Sequence, residues 1–457
     1  MDMASICPKA ASRLIDRIIS TYSCQSARGA IMRILMINSF FYLRGGAERC
    51  FLDLMALLAA HGHEVIPFCM TDERNRPTPY ASHFISHINF PERLRQGGSW
   101  RDKWTVLERV VYSREARDRL AALIAETKPD IAHVHGIAHE MSPSVLPVLR
   151  RAGIPVVQTL HDYKLLCPNT SFVSNGRICE ACKGHRYYNA VRYRCKRGSL
   201  AASLLAALEA TIHKAWRIYE RNVDVFITPS QFLQHKLKEY GISNPVVHIP
   251  NFIDVDRFRP CDEPEDYILF SGRLVGIKGI KTLLTAMCEV RQARLLVAGD
   301  GELRTWAEAF IRKHDLTHVE LLGHLKTAEL VDLIRRARFT VVPSEWYENY
   351  PMSVLESLAC GTPVIGSRIG GIPELVHEGQ TGLLFRPGDT AELVTKIRFL
   401  WARPELARGM GQNGRLQVTR VNNPERHYQQ TMSLYQELLA QKRAAHATET
   451  AVFSAGE

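Results

Sequence analysis

Between residues 271 and 374, three segments gather the residue types that binding a phosphorylated group requires. Ser271-Gly272-Arg273-Leu274-Val275-Gly276-Ile277-Lys278-Gly279 follows an apolar run and puts Arg273 and Lys278 on one loop. Two fixed cations there can clamp a diphosphate, Arg273 with a fork of donors and Lys278 as a point charge. The plain alternative is a pair of solvated loop cations. Next, Pro343-Ser344-Glu345-Trp346-Tyr347-Glu348-Asn349-Tyr350-Pro351 runs into a helical pattern that opens Met352-Ser353-Val354 and ends at Cys360, with Pro351 near the first turn. The free N–H groups and positive end of such a helix suit phosphate. Glu348 and Glu356 lie eight residues apart, but Glu348 precedes the helix, so the two carboxylates have different tasks. Each can accept hydrogen bonds from a vicinal diol, one from a ribose and one from a hexose. Gly370-Gly371-Ile372-Pro373-Glu374 is a further glycine loop ahead of a helix, whose dipole Glu374 would complement.

A second group of residues lies in the first half. Cys167, Cys179, Cys182 and Cys195 are spaced C-x11-C-x2-C-x12-C, within residues 164–198. A C-x2-C pair flanked by two more cysteines suits a tetrahedral structural zinc, with His185 as a substitute ligand. Four reduced thiols in a packed loop are the alternative. The same segment carries Lys183, Arg186, Arg192, Arg194, Lys196 and Arg197, with Tyr187, Tyr188 and Tyr193 among them. Basic residues interleaved with aromatics suit single-stranded nucleic acid or an anionic interface. The loop's place beside the Thr159-Leu160-His161-Asp162 segment favours a membrane surface or the phosphates of a lipid-linked molecule, with Trp100, Trp104, Arg95, Arg101 and Lys103 adding to it.

Short apolar runs ending in polar or glycine residues must position these groups. They occur at Met32–Asn38, Val65–Cys69, Ile131–His135, Pro155–Leu160 and Val225–Pro229, with helical patterns between them, including 114–126, 143–151 and 199–221. After a turn-rich linker, Ile249–Pro260, the alternation restarts at Tyr267–Ser271 and continues through Leu295–Ala298, Val319–Leu322, Phe339–Val342, Pro363–Gly366 and Gly382–Phe385. Strand and helix alternating twice over predict an α/β chain of two doubly wound parallel-sheet, Rossmann-like domains. Ligands of such sheets bind at the carboxyl ends of the strands, so two facing domains hold a substrate in the cleft between them. The expected divisions are a short extension over 1–30, a first domain over 31–250, a second over 262–424, and a helix over 425–441 that packs back on the first domain.

Composition is consistent with this. The 457 residues are 46% hydrophobic and 23% charged, which excludes a fibrous or wholly disordered chain. The 58 Lys and Arg against 47 Asp and Glu favour an anionic partner. No run of spanning length and no signal-like apolar stretch is found, so the sequence predicts a cytoplasmic protein, with peripheral attachment to the inner face of the membrane. In that reducing setting the 11 cysteines are expected as thiols or metal ligands rather than disulfides.

Taken together, Gly272–Gly279, the Glu348/Glu356 pair and Gly370–Glu374 resemble the retaining glycosyltransferases of the GT-B fold, the large family 4 group. Gly45-Gly46-Ala47-Glu48 and Thr159–Asp162 resemble that family's acceptor-domain signatures, and the likeness spans about residues 32–440. It implies a transfer from a nucleotide-diphosphate sugar (UDP, GDP or dTDP type) to a glycan or lipid-linked acceptor, as in surface polysaccharide assembly, with no catalytic metal and no nucleic acid. By the resemblance, Arg273 and Lys278 bind the diphosphate, Glu356 the ribose and Glu348 the sugar. Residues Gly272, Asn349, Tyr350, Pro351, Met352, Ser353 and Val354 complete the donor site. Gly45 and Gly46 let backbone approach the diphosphate, and His161 lies near the reaction centre. The alternatives are a GT-B epimerase or phosphorylase, or a basic zinc-containing nucleic-acid-binding protein.

Overall fold

The computed structural model describes residues 31–87, 100–138, 141–261 and 264–454, with the side chains of 100–103 and 445–454 outside that description. The expected extension over 1–30, Arg95, and the side chains of Trp100, Arg101 and Lys103 therefore lie outside the described residues. Two parallel sheets of six strands each organise the chain. The first contains β1 (Arg33–Ile37), β2 (Glu64–Phe68), β3 (Ile131–Val134) and β4 (Val156–Thr159). A small antiparallel hairpin follows, β5 (Val173–Ser174) with β6 (Arg177–Ile178), before β7 (Val225–Thr228) and β8 (Val246–His248) rejoin the sheet. The spatial order is β2-β1-β3-β4-β7-β8.

The second sheet contains β9 (Tyr267–Ser271), β10 (Arg294–Ala298), β11 (Val319–Gly323), β12 (Phe339–Val342), β13 (Val364–Ser367) and β14 (Gly382–Phe385), in the order β11-β10-β9-β12-β13-β14. Strand order reverses between β1 and β3 in one sheet and between β9 and β12 in the other. At such switch points the loops beyond the strand ends diverge and leave a crevice. Every segment singled out for chemistry in the second half follows a strand of that sheet.

The strands are short and apolar because helices cover both faces. Along β1, Ile34 and Met36 face one core with Phe51, Leu54 and Tyr435, while Leu35 and Ile37 face another with Phe68, Val134 and Leu149. Strand β9 repeats the alternation, with Ile268 and Phe270 on one face and Tyr267 and Leu269 on the other. Tyr435 belongs to the final helix, Pro424–Ser454, so the chain ends against the first domain after completing the second. Its hydroxyl lies 2.6 Å from His133 Nδ1, and Lys442 Nζ donates to the Gly153 carbonyl at 3.0 Å.

Three details differ from the sequence pattern. Strand β8 is new, a three-residue edge strand between Pro245 and Pro250, too short to show a period. The helical pattern over 199–221 is two helices, Leu200–Ala215 and Ile218–Asn222, broken where Arg217 takes φ +51°. The final helix begins one residue before the predicted start and runs well past residue 441.

Gly279 shows how tightly the Arg273–Lys278 loop is seated. Its φ is +70°, and a Cβ there would lie 1.7 Å from the Pro343 carbonyl oxygen, so the loops after β9 and β12 touch through a missing side chain. Gly279→Ala is expected to cost on the order of 3 kcal/mol and lower the thermal unfolding midpoint. Gly276→Ala, where a Cβ would meet nothing within 4 Å, should leave that midpoint unchanged in the same scan.

Candidate functional site

The loop after β9 carries Arg273, exposed and without an ion-pair partner among the described residues, and Lys278, whose Nζ donates to Glu348 Oε1 at 2.6 Å. Ser344 Oγ donates to the same oxygen at 2.6 Å, and the Lys278 ammonium lies 5.4 Å from the Trp346 ring centroid. Glu348 is buried. Burial works against its charge, but the Lys278 ammonium and the hydrogen bonds from Lys278 and Ser344 outweigh it and hold the carboxyl below the usual range. The loops after β9 and β12 are thus joined by a buried ion pair, next to one unpaired guanidinium.

Glu348 is also set by the glycine loop. Gly370 has φ +57° and a Cβ there would lie 2.2 Å from the Glu348 carbonyl oxygen; the Gly371 N–H donates to that oxygen at 2.7 Å. Gly370 and Gly371 therefore let the loop after β13 lie flat on the backbone of Glu348 and Asn349. Glu374 does more than complement its own helix. Its carboxylate accepts from the Gln231 and Phe232 N–H groups at 2.8 and 2.7 Å, capping the first turn of the first domain's helix Gln231–Glu239.

Two helices start at the switch points and meet across the domains. Helix Gly46–Ala60 follows β1, with Gly45 as an extended cap, and helix Met352–Ala359 follows β12, with Pro351 at the cap rather than inside the first turn. A Cβ on Gly46 would lie 3.3 Å from Met352 Cγ, and Cys50 Sγ lies 3.7 Å from Met352 Sδ. One turn further in, Arg49 forms an ion pair with Glu356. Burial raises the Glu356 carboxyl above its ordinary range even with Arg49 and Arg257 beside it. The Met352 and Ser353 N–H groups have no partner among the described residues, which leaves the positive end of that helix open to an anion. Val354 is buried in the core beneath it.

The structure commits two of the expected donor-site side chains elsewhere. Asn349 bridges the domains, accepting from Ser230 Oγ at 2.6 Å and donating to the Leu160 carbonyl at 3.0 Å. The Tyr350 hydroxyl is buried against Asn422 at 2.8 Å, beside the link to the final helix. The Asn349 bond nevertheless brings His161 to the site, because Leu160 precedes it at the end of β4.

His161 is not alone. Its Nε2 lies 2.8 Å from His135 Nδ1, and the rings stack with centroids 5.1 Å apart. His135 follows β3 at the switch point, and its Nε2 is buried with no hydrogen-bond partner among the described residues. The pattern His133-Val134-His135-Gly136 at a strand end was the available sequence signal for this residue. Arg49, Ser230 and the cross-domain role of Glu374 carried none, since each depends on the other domain.

In the insertion, all four cysteines are reduced and line one cavity of about 10 Å³ with Pro168 and Tyr193. Among the described residues, no group of three or more His, Cys, Asp or Glu side chains is set to hold a metal ion. The insertion also reaches the second domain: Tyr347 donates to Glu180 Oε1 at 2.8 Å, and Lys236 binds the same oxygen at 2.7 Å. No helix among the described residues is long and apolar enough to cross a membrane.

The chain matches the model of the family described as Glycosyl transferases group 1 over residues 254–417, and that of Glycosyltransferase Family 4 over residues 44–257. It is 35% identical to an uncharacterized glycosyltransferase of Methanocaldococcus jannaschii over 283 residues, covering 61% of this chain and 67% of that one. It is 27% identical to a glycogen synthase of Mycobacterium tuberculosis over 414 residues, covering 85% and 90%. Among solved structures, sucrose-phosphate synthase from Thermosynechococcus elongatus superposes with a TM-score of 0.66 at 23% identity, over 90% of this chain and 100% of that one. Anabaena HepE, solved with UDP and glucose, gives 0.61 at 18% identity, over 88% and 99%.

Four desolvated histidines set a pH dependence: His133, His135 and His161 in and after β3 and β4, and His427 in the final helix, bonded to the Pro250 carbonyl. Burial pushes His161 down to about 4, His133 to about 3 and His427 to about 4, with His135 well below its ordinary value for the same reason. The unfolded chain therefore binds more protons below about pH 6.5. Stability is fully present above that pH and is lost as pH falls toward 4, by up to about 1.4 kcal/mol per pH unit per histidine. Thermal midpoints measured from pH 7.5 to 4.5 should fall progressively, and His161→Gln should reduce the slope.

Proposed function

The chain belongs to the glycosyl transferases group 1 family of GT-B glycosyltransferases, and from that premise we propose that it moves a sugar from a nucleotide-diphosphate donor to a glycan or lipid-linked acceptor with retention of configuration. The observation that carries the reading is the arrangement at the facing strand ends: Arg273, Lys278, Glu348 and the open N-terminus of helix Met352–Ala359 on one side, with Gly46 and His161 opposite. Anabaena HepE was solved with UDP and glucose, which makes UDP the first base to test.

In this reading the bond between the sugar's anomeric carbon and the diphosphate oxygen breaks while the acceptor oxygen bonds to the same face. The acceptor's proton passes to the departing phosphate. The difficulty is negative charge growing on the diphosphate, and Arg273, Lys278 and the helix N–H groups meet it with donors that are already in place. The Lys278–Glu348 pair fixes the lysine's position before donor arrives. Glu348 remains ionised and so accepts hydrogen bonds from sugar hydroxyls. A neutral His161 accepts or donates a hydrogen bond at the sugar without adding charge, its ring held by His135.

Calorimetric titration with UDP, GDP, dTDP, ADP and their common sugars tests the proposal. One diphosphate nucleotide should bind selectively, and Arg273→Ala with Lys278→Ala should abolish binding. Either substitution alone should lower the transfer rate by about 10²–10³. Equal binding of the nucleotide by wild type and double variant would overturn the clamp.

For the insertion the proposal is one structural zinc on Cys167, Cys179, Cys182 and Cys195, supported by the cavity that all four line. Convergence of three or more sulfurs on one point is what the metal would have to bring about. Metal analysis of the purified chain should find one zinc, and a zinc-free, folded and active enzyme would dispose of it.

A further inference from the structure

Helix Leu200–Ala215 is built inside out. Its buried face holds Ser203, Ala206, Ala207, Glu209 and His213. Glu209 accepts from Lys164 Nζ at 2.6 Å, and the His213 ring Nε2 bonds to the Val111 carbonyl at 2.8 Å. Three leucines point the other way: Leu200, Leu204 and Leu208, at four-residue steps, are 54%, 57% and 42% exposed, and Trp216, which caps the helix, is 47% exposed. At 3.6 residues per turn such steps drift only about 40° each, so the three leucines form one stripe, while Trp216 at the helix end is turned by roughly 80° beyond Leu208. The remaining exposed positions on the helix, Ala201, Thr211 and Ala215, carry no charge.

Exposed aromatic side chains lie on the elements next to this helix. Helix Trp100–Tyr112 packs beside it and offers Trp104, 64% exposed, and the cysteine loop adds exposed Tyr188 and Tyr193. Arg192, Arg194 and Arg197 precede the helix and Arg217 follows it, all exposed. An apolar stripe with aromatic flanks and a basic rim is the composition of a surface that lies in a lipid interface, with side chains in the acyl boundary and guanidinium groups at the headgroup phosphates.

We propose that this face, the Leu200–Leu204–Leu208 row with Trp104 and its arginine rim, docks the enzyme onto an anionic bilayer. The inference rests on the reading of the acceptor as lipid-linked, and it names the surface that meets the membrane. Charge decides for a bilayer over a second copy of the chain, because a two-fold contact through this face would set the arginine rims against each other. The buried Lys164–Glu209 pair then has a consequence. Lys164 N–H also donates to Asp162 Oδ1 at 2.9 Å, so the docked helix is tied directly to the segment carrying His161.

Sedimentation of the full chain with vesicles tests this, using equal parts phosphatidylcholine and phosphatidylglycerol against phosphatidylcholine alone. Wild type should partition onto the anionic vesicles. Leu204→Gln with Leu208→Gln should weaken that by roughly tenfold, and Arg192→Glu, Arg194→Glu with Arg197→Glu by on the order of a hundredfold. Both sets replace exposed side chains, and UDP titration of the same samples should be unaltered. Vesicle binding that survives both sets, or no binding by wild type, overturns the proposal, as does a dimer that the leucine variant turns to monomer. Vesicle binding without any nucleotide binding would leave the docking face standing and sink the donor reading instead.

Discussion

The pairing of Glu356 with Arg49 is the constraint on which the site depends. Each residue lies in the first turns of a helix that starts at a switch point, one per domain, so the pair joins the two crevices at their floor. A buried ion pair of this kind contributes little net stability, because desolvating both charges offsets their attraction, but removing one partner strands the other at a cost of about 3–5 kcal/mol. Its effect is therefore on register. With Arg49 on Glu356, Gly46 sits against Met352, where a Cβ would lie 3.3 Å from Met352 Cγ and require that side chain to give by a few tenths of an ångström. Asn349 then reaches both Ser230 and the Leu160 carbonyl, and Glu374 reaches the end of helix Gln231–Glu239.

The same carboxylate is the one the family likeness assigns to the nucleotide's ribose. On the proposed reading Glu356 would serve two partners, the Arg49 guanidinium from the opposite domain and a diol from the donor, and a carboxylate has room for both because its two oxygens accept up to four hydrogen bonds. Burial already holds the Glu356 carboxyl above its ordinary range, so its charge depends on Arg49 and Arg257. A bound diol would add donors to that charge. On the proposed reading, donor binding and the joining of the domains would be one electrostatic arrangement, to which the first domain contributes Arg49.

Most of the fold was legible in the sequence because its strands are buried on both faces and read as plain apolar runs. Strand β8 was not, since three residues between prolines carry no period. The loops that hold Arg273, Lys278 and Glu348 were legible through their glycines, although Gly370 and Gly371 prove to accommodate the protein's own backbone. What the sequence could not convey is partner choice. Asn349 and Tyr350 sit in a segment dense with polar side chains, and only the position of the other domain decides that Asn349 holds Ser230 while Tyr350 turns to Asn422. His135 was hidden for a different reason: a histidine ending an apolar strand looks like a core residue until His161 is brought within 2.8 Å of it.

Helix Leu200–Ala215 carries this further, because its period was visible and its meaning was not. Leucines at four-residue steps read as the face that packs on a core. In the structure that place is taken by alanines, Ser203 and the Glu209–Lys164 pair, and the small side chains let the helix lie close to its neighbours. A charge at Glu209 is tolerable inside because Lys164 meets it there, and Lys164 is fixed by its place just after His161 and Asp162. Once the ion pair occupies the inner face, the leucines have no route inward. The exposed row is thus a consequence of anchoring the helix to the segment carrying His161, and a surface partner for that row covers leucines the fold leaves in water without disturbing the buried pair.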